Sequence, residues 1–104
     1  MDERYEAAML FDFYGELLTE KQRGIYQAVM FDDLSLGETA EEYNITRQGV
    51  HDMVRRCTKM LEGYEEKLGL VRRFVDLKKK AEEIRSLTDN EKIRRLADEI
   101  LDEL

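Results

Sequence analysis

Ser35-Leu-Gly-Glu-Thr-Ala-Glu-Glu-Tyr-Asn-Ile-Thr-Arg-Gln-Gly-Val-His-Asp-Met-Val-Arg-Arg56 is the stretch that decides the fold. Ser35 followed three residues later by Glu38 is a capping box, a pairing that satisfies free N–H groups at a helix start. The helix it opens is short and runs to about Tyr43. Asn44 tolerates the left-handed backbone of a tight turn better than most residues. Thr46 caps a second helix beginning at Arg47. A small residue is needed where two such helices cross, and Ala40 supplies it. Ile45 is placed to plug the turn into the core, while Val50 and Met53 fix the second helix onto the first. Together these features predict a helix-turn-helix over residues 35–56.

Outward from this segment the chain continues in helical spacing. Val50, Met53, Val54, Cys57, Leu61, Tyr64 and Leu68 form one regular apolar stripe, which Gly69 ends. Leu70, Phe74, Leu77, Ala81 and Ile84 predict a fifth helix. Thr88 to Glu91 reads as a further capping box, opening a sixth helix with Ile93, Leu96, Ala97, Ile100 and Leu104 inward. Upstream, residues 2–14 predict a first helix with Tyr5, Ala8, Met9, Asp12 and Phe13 on one face, ended by Gly15. Thr19 and Gln22 form a capping box for a helix that buries Ile25, Tyr26, Val29 and Met30. The expected fold class is all-α. It is a helix-turn-helix bundle with a C-terminal helical extension, divided into a core domain at 1–68 and a helical pair at 69–104.

Composition agrees. Proline is absent and glycine numbers only 6 in 104 residues, too few turn formers for a strand-rich fold. An apolar share of 42% is too high for a disordered chain. The single cysteine, Cys57, and single histidine, His51, exclude an internal disulfide and a multi-ligand metal site of Cys and His. Cys57 lies on the apolar stripe as a small core residue. The opening residues carry charges and no long apolar run, so neither a secretory signal nor a membrane span is expected and the cytoplasm is the default. The carboxylate pairs Asp32-Asp33, Glu41-Glu42 and Glu65-Glu66 read as solvated helix ends and faces. No glycine-rich phosphate loop is present, so neither an enzyme nor a bound cofactor is expected.

The net charge of −7 alone disfavours nucleic acid, but it is unevenly spread. Residues 1–45 hold 3 basic and 11 acidic side chains, residues 46–80 hold 10 and 5, and residues 81–104 hold 4 and 8. A basic segment therefore lies between acidic ones. In the second helix Thr46, Arg47, Gln48, His51, Asp52, Arg55, Arg56 and Lys59 point away from the apolar stripe. Arg47, Gln48 and His51 are placed near base edges, where arginine and glutamine match guanine and adenine. Arg55, Arg56 and Lys59 suit phosphates, with Thr46 adding a hydroxyl at the helix N-terminus. Asp52 is unfavourable near phosphate but has the acceptor that a cytosine amino group requires. These residues predict DNA as the partner, and the stripes of residues 70–84 and 93–104 suit either a helical dimer interface or packing back onto the core, of which a homodimer is the expectation.

The strings LFDFYGELLTEKQR at 10–23, DDLSLGE at 32–38, RQGVHD at 47–52 and LEGYEEKLGL at 61–70 resemble the YlxM family of small helix-turn-helix proteins of Gram-positive bacteria. Gly49 stands where alanine is more usual in that pattern. The helix-turn-helix also resembles that of sigma factor region 4, which reads promoter DNA. The genes of the YlxM family stand beside those of the signal recognition particle. The resemblance therefore implies a regulatory role in that pathway, with DNA, the particle's RNA or its GTPase protein as partner.

Overall fold

The structure is a computed structural model that describes residues 3–104. Six helices follow one another: α1 (Glu3–Tyr14), α2 (Glu20–Met30), α3 (Leu36–Tyr43), α4 (Arg47–Leu68), α5 (Leu70–Leu87) and α6 (Glu91–Glu103), with one 3₁₀ turn at Gly15–Leu17. No strand occurs among the described residues, so the fold is all-α. None of these helices is long and apolar enough to cross a membrane. The chain divides into two compact units, Met1–Leu68 and Gly69–Leu104.

The first unit is built on the crossing of α2, α3 and α4. Ile25, Ala40 and Val50 form its centre, one from each helix, with Val29, Tyr43, Ile45, Met53 and Val54 packed around them. The crossing residue, the plug and the two anchors expected from the sequence all meet here. Full burial of an aliphatic side chain contributes about 1.5–3 kcal/mol, so this cluster holds the three helices in one arrangement. Thr39 is fully buried beside it. Its hydroxyl donates to Ser35 O at 2.9 Å, which removes the cost of burying a polar group.

Local chemistry sets the helix limits. Thr19 Oγ1 accepts from Gln22 N at 3.2 Å and Gln22 Oε1 accepts from Thr19 N at 2.9 Å, closing one capping box. Ser35 and Glu38 close the second in the same way, at 3.0 and 3.1 Å. Asn44 is left-handed, at φ 56° and ψ 48°, and ends α3. Past the end of α2, Leu34 N–H donates to Ala28 O at 3.1 Å, with Asp33 at φ 57° in the left-handed position usually given to glycine.

α1 presents a different face from the expected one. Ala7 and Tyr14 are buried, whereas Tyr5 is half exposed and Asp12 is exposed. The ring of Phe11, between them, stacks on Tyr26 at 5.6 Å and meets Phe31 at 5.3 Å. Turning this face inward keeps Asp12 in water and lets three aromatic rings share one cluster. At its C-terminal end Tyr14 reaches α4, where its ring lies 6.0 Å from that of Tyr64.

The second unit is a helical hairpin. The connection 88–90 turns α6 back along α5, and Ala81 and Ala97 are its buried residues. Arg85 Nε meets Asp98 Oδ1 at 2.6 Å on one side of the pair. The cap of α6 lies two residues beyond the expected Thr88. Asn90 Oδ1 accepts from Lys92 N and Ile93 N at 2.9 and 3.2 Å, while Thr88 Oγ1 accepts from Asn90 N. The apolar stripes are also less buried than their spacing predicts. Leu70, Leu77, Ile84, Ile93, Leu96, Ile100 and Leu104 remain 39–60% exposed, because the two helices meet through alanines.

Candidate nucleic-acid interface

α4 carries the candidate site, and its position follows from the cap that starts it. Thr46 Oγ1 accepts from Gly49 N at 2.9 Å, and Val50 N–H closes the first turn on Thr46 O at 3.0 Å. Val50, Cys57 and Leu61 then anchor the helix on its buried side. At about 100° per residue, Gln48, Asp52, Arg55 and Lys59 fall in one row directly opposite that side. Arg47 and His51 flank the row on one edge and Arg56 on the other. All of Thr46, Arg47, Gln48, His51, Arg55, Arg56 and Lys59 are exposed. The row from Gln48 to Lys59 spans about 17 Å at 1.5 Å per residue, a length that fits a major groove.

Asp52 organises the N-terminal half of this face. Gln48 Nε2 donates to its Oδ1 at 3.0 Å, and His51 Nδ1 lies 3.9 Å from the same oxygen. Gln48, expected near a base, is thus hydrogen-bonded to a carboxylate, and His51, expected near another, stands beside it. The i, i+4 spacing of Gln48 and Asp52 is the signal for this bond, since such side chains are neighbours on a helix surface. Arg47 takes a different course from its neighbours. Its Nε would lie 3.1 Å from a Cβ placed on Gly37, so the side chain arches over the first turn of α3 and uses the space that Gly37 leaves open. It lines a shallow depression with Ser35, Glu38, Glu41 and Asn44, away from the row of Gln48 and Arg55. Thr46 spends its acceptor on the helix cap and keeps its O–H free to donate.

The cations divide from the acids along the chain. Arg47, Arg55, Arg56 and Lys59 carry no ion pair among the described residues, so their charge is available to a partner. Glu38, Glu41 and Glu42 are exposed on α3, the helix that precedes the turn. The Ser35 N–H donated to Glu38 holds that carboxyl below its ordinary value, so Glu38 is charged at neutral pH. Cys57 is buried within α4 and its thiol is pushed up by that burial, consistent with a core residue rather than a nucleophile. Among the described residues no three His, Cys, Asp or Glu side chains cluster as metal ligands.

Comparison with known proteins returns the same architecture. The family described as "Putative helix-turn-helix protein, YlxM / p13 like" matches residues 1–102. A UPF0122 protein of Acetivibrio thermocellus is 54% identical over 84 residues, covering 81% of this chain and 72% of the relative. One from Desulforamulus reducens is 47% identical over 89 residues, 86% of this chain and 76% of the relative. One from Bacillus licheniformis is 51% identical over 82 residues, 79% of this chain and 77% of the relative. With nearly the whole length matched and identity near one half, this chain belongs to the YlxM / p13-like family of helix-turn-helix proteins.

Proposed function

We propose that this protein is a cytoplasmic, non-enzymatic regulator that binds duplex DNA through the exposed face of α4. Arg55, Arg56 and Lys59 engage phosphates. Gln48 and His51 approach base edges at the N-terminal end of the helix, and the Thr46 hydroxyl donates to a phosphate. Arg47 contacts the backbone from the α3 side and reaches bases only by leaving Gly37. The observation that carries this reading is the row of Gln48, Asp52, Arg55 and Lys59 opposite the buried side of α4, whose cations carry no ion pair among the described residues. A homodimer presents two such helices, as a two-fold DNA site requires. Gel shifts over a salt series test the proposal. Arg55→Ala combined with Arg56→Ala should lower the slope of log affinity against log salt by about 2, one phosphate contact for each arginine. An unchanged slope would remove both residues from the interface.

A second reading rests on the exposed acids of α3 and the acidic balance of residues 1–45. They repel free DNA and suit a basic ribonucleoprotein partner instead. Under this reading the protein is an accessory factor of the signal recognition particle, bound to its GTPase protein or RNA. Capture of those two components in preference to random duplex DNA would select it over the DNA reading.

A further inference from the structure

The hairpin of α5 and α6 has two unlike sides. Arg85, Asp98 and Arg94 line one, with Glu82 and Asp89 beside them. On the other side lie Leu77, Ile84 and Leu87 of α5, spaced at seven and three residues, and Ile93, Leu96 and Ile100 of α6, spaced at three and four. All six are exposed, from Ile93 at 41% to Leu87 at 77%. Together they leave roughly three whole aliphatic residues uncovered on one face, a patch of the size that often marks an interaction surface.

We infer that this face is covered by the same face of a second copy, forming a four-helix bundle in which α5 of one protomer lies antiparallel to α6 of the other. Charge complementarity supports this occupant and this register. The turn at 88–90 puts residues equidistant from it at one level, so Ala81 stands level with Ala97 and Lys80 with Asp98. Glu83 borders the apolar face on the edge of α5 that points away from its own α6, and Lys80 falls just inside that edge, between Ile84 and Leu87. Lys92 and Glu99 border it on the corresponding edge of α6. All four are exposed. Lys80, paired meanwhile with Asp76 at 3.0 Å, stands within about one residue of the level of Glu99. Glu83 stands about one turn from Lys92. A two-fold axis along the bundle therefore sets Lys80 against Glu99 of the partner subunit and Glu83 against Lys92 of the partner subunit, twice over. A perpendicular axis sets α5 against its own copy and would pair Lys80 with Glu83 of the partner subunit instead, a contact that exchanging both residues leaves intact.

The inference deepens the homodimer reading and is independent of what α4 binds. Its test uses two charge-exchanged chains, each with unchanged net charge: Lys80→Glu with Glu83→Lys, and Lys92→Glu with Glu99→Lys. Sedimentation equilibrium should show the wild type as a dimer at micromolar concentration. Each exchanged chain alone should dimerise about tenfold more weakly. An equimolar mixture should recover most of the wild-type affinity as a heterodimer, because every contact is again between opposite charges. Circular dichroism confirms that both chains remain helical. A monomeric wild type overturns the dimer itself. A dimer indifferent to both exchanges, or a mixture no tighter than its components, overturns the register while leaving dimerisation standing. Leu96→Asp, which places a charge at the centre of the face, should abolish the dimer, and an intact dimer would show that a different surface joins the copies.

Discussion

The Tyr14 hydroxyl donates to Glu65 Oε1 at 2.6 Å, joining α1 to α4 across 51 residues of sequence. Tyr14 is 1% exposed, so its ring contributes through burial and its hydroxyl through this bond. The bond holds the C-terminal half of α4 against α1, and so the whole helix against the unit that supports it. Tyr14→Phe keeps the ring and deletes the donor. A hydrogen bond to a charged acceptor contributes about 1.5–3 kcal/mol, and half-burial of Glu65 lets water replace part of it, so a loss of about 1–2 kcal/mol is expected in urea unfolding. Glu65→Gln retains an acceptor and should cost less. Equal losses in Tyr14→Phe and the Tyr14→Phe, Glu65→Gln pair, set against Glu65→Gln alone, would confirm the coupling. Additive losses would show that the two side chains act separately.

Asn44 is the hinge of the helix-turn-helix, held at φ 56°. A β-carbon there costs about 1–2 kcal/mol in most residues, and asparagine is among the least penalised. Asn44→Ala should therefore destabilise by about 1 kcal/mol, whereas Asn44→Gly should be neutral to slightly stabilising. Thermal unfolding distinguishes them. If both substitutions lowered the midpoint equally, side-chain bonding of Asn44 rather than its backbone would be holding the turn.

The turn shows what local sequence can reveal. Ser35, Ala40, Asn44, Ile45, Thr46 and Val50 act within one another's reach, so their identities and spacing disclose the geometry. The inward face of α1 is less accessible. Ala7 to Tyr14 is apolar at almost every position except Asp12, and only the rings of Tyr26 and Phe31 select Phe11 as the inward residue. The same holds for α5 and α6. Helical spacing marks Leu77 and Leu96 as apolar-face residues, but spacing cannot say that alanines make the helix contact. At the candidate site the exposed residues of α4 follow from its stripe. The course of Arg47 over Gly37 depends on the neighbouring helix and is invisible in the spacing.

Gly49 sits in the first turn of α4, where its N–H reaches Thr46 Oγ1 at 2.9 Å. A Cβ there would lie 3.1 Å from that oxygen. Gln22 and Glu38 occupy the equivalent third position after Thr19 and Ser35, carry a Cβ, and keep cap bonds of 3.2 and 3.0 Å. The close approach is therefore compatible with a cap. Gly49→Ala should stabilise by about 0.5–1 kcal/mol, the helix-propensity gain, and raise the melting temperature by a few degrees. A lower melting temperature would mean that Thr46 cannot yield to the added methyl.

The Glu38 capping box makes α3 sensitive to acid. Its backbone and side-chain bonds to Ser35 lower the Glu38 pKa below the ordinary value of 4.5. A native value below the unfolded one means that the carboxylate's contribution is complete above the unfolded value and is lost as pH falls through the native value. Glu38→Gln keeps the acceptor, as Gln22 does in the first box, and removes the titration. The melting temperature of the variant should fall less between pH 7 and pH 3 than that of the wild type. An identical fall in both proteins would assign the acid sensitivity to other carboxylates.

Asp52 separates a DNA partner on α4 from a basic protein partner on the same face. It is exposed in the middle of the cationic row and binds Gln48 at 3.0 Å. If phosphates meet this face, Asp52 opposes them, and it also occupies an amide needed for base contacts. Asp52→Asn removes the charge with little change of shape. Duplex DNA binding, followed by fluorescence anisotropy, should then tighten about three- to tenfold at low salt, with the gain shrinking as salt screens the face. A basic protein partner gives the opposite sign, because Asp52 would then be attractive and its loss would weaken binding. Weaker DNA binding by Asp52→Asn at every salt concentration would instead assign the carboxylate to a base, as acceptor from a cytosine amino group.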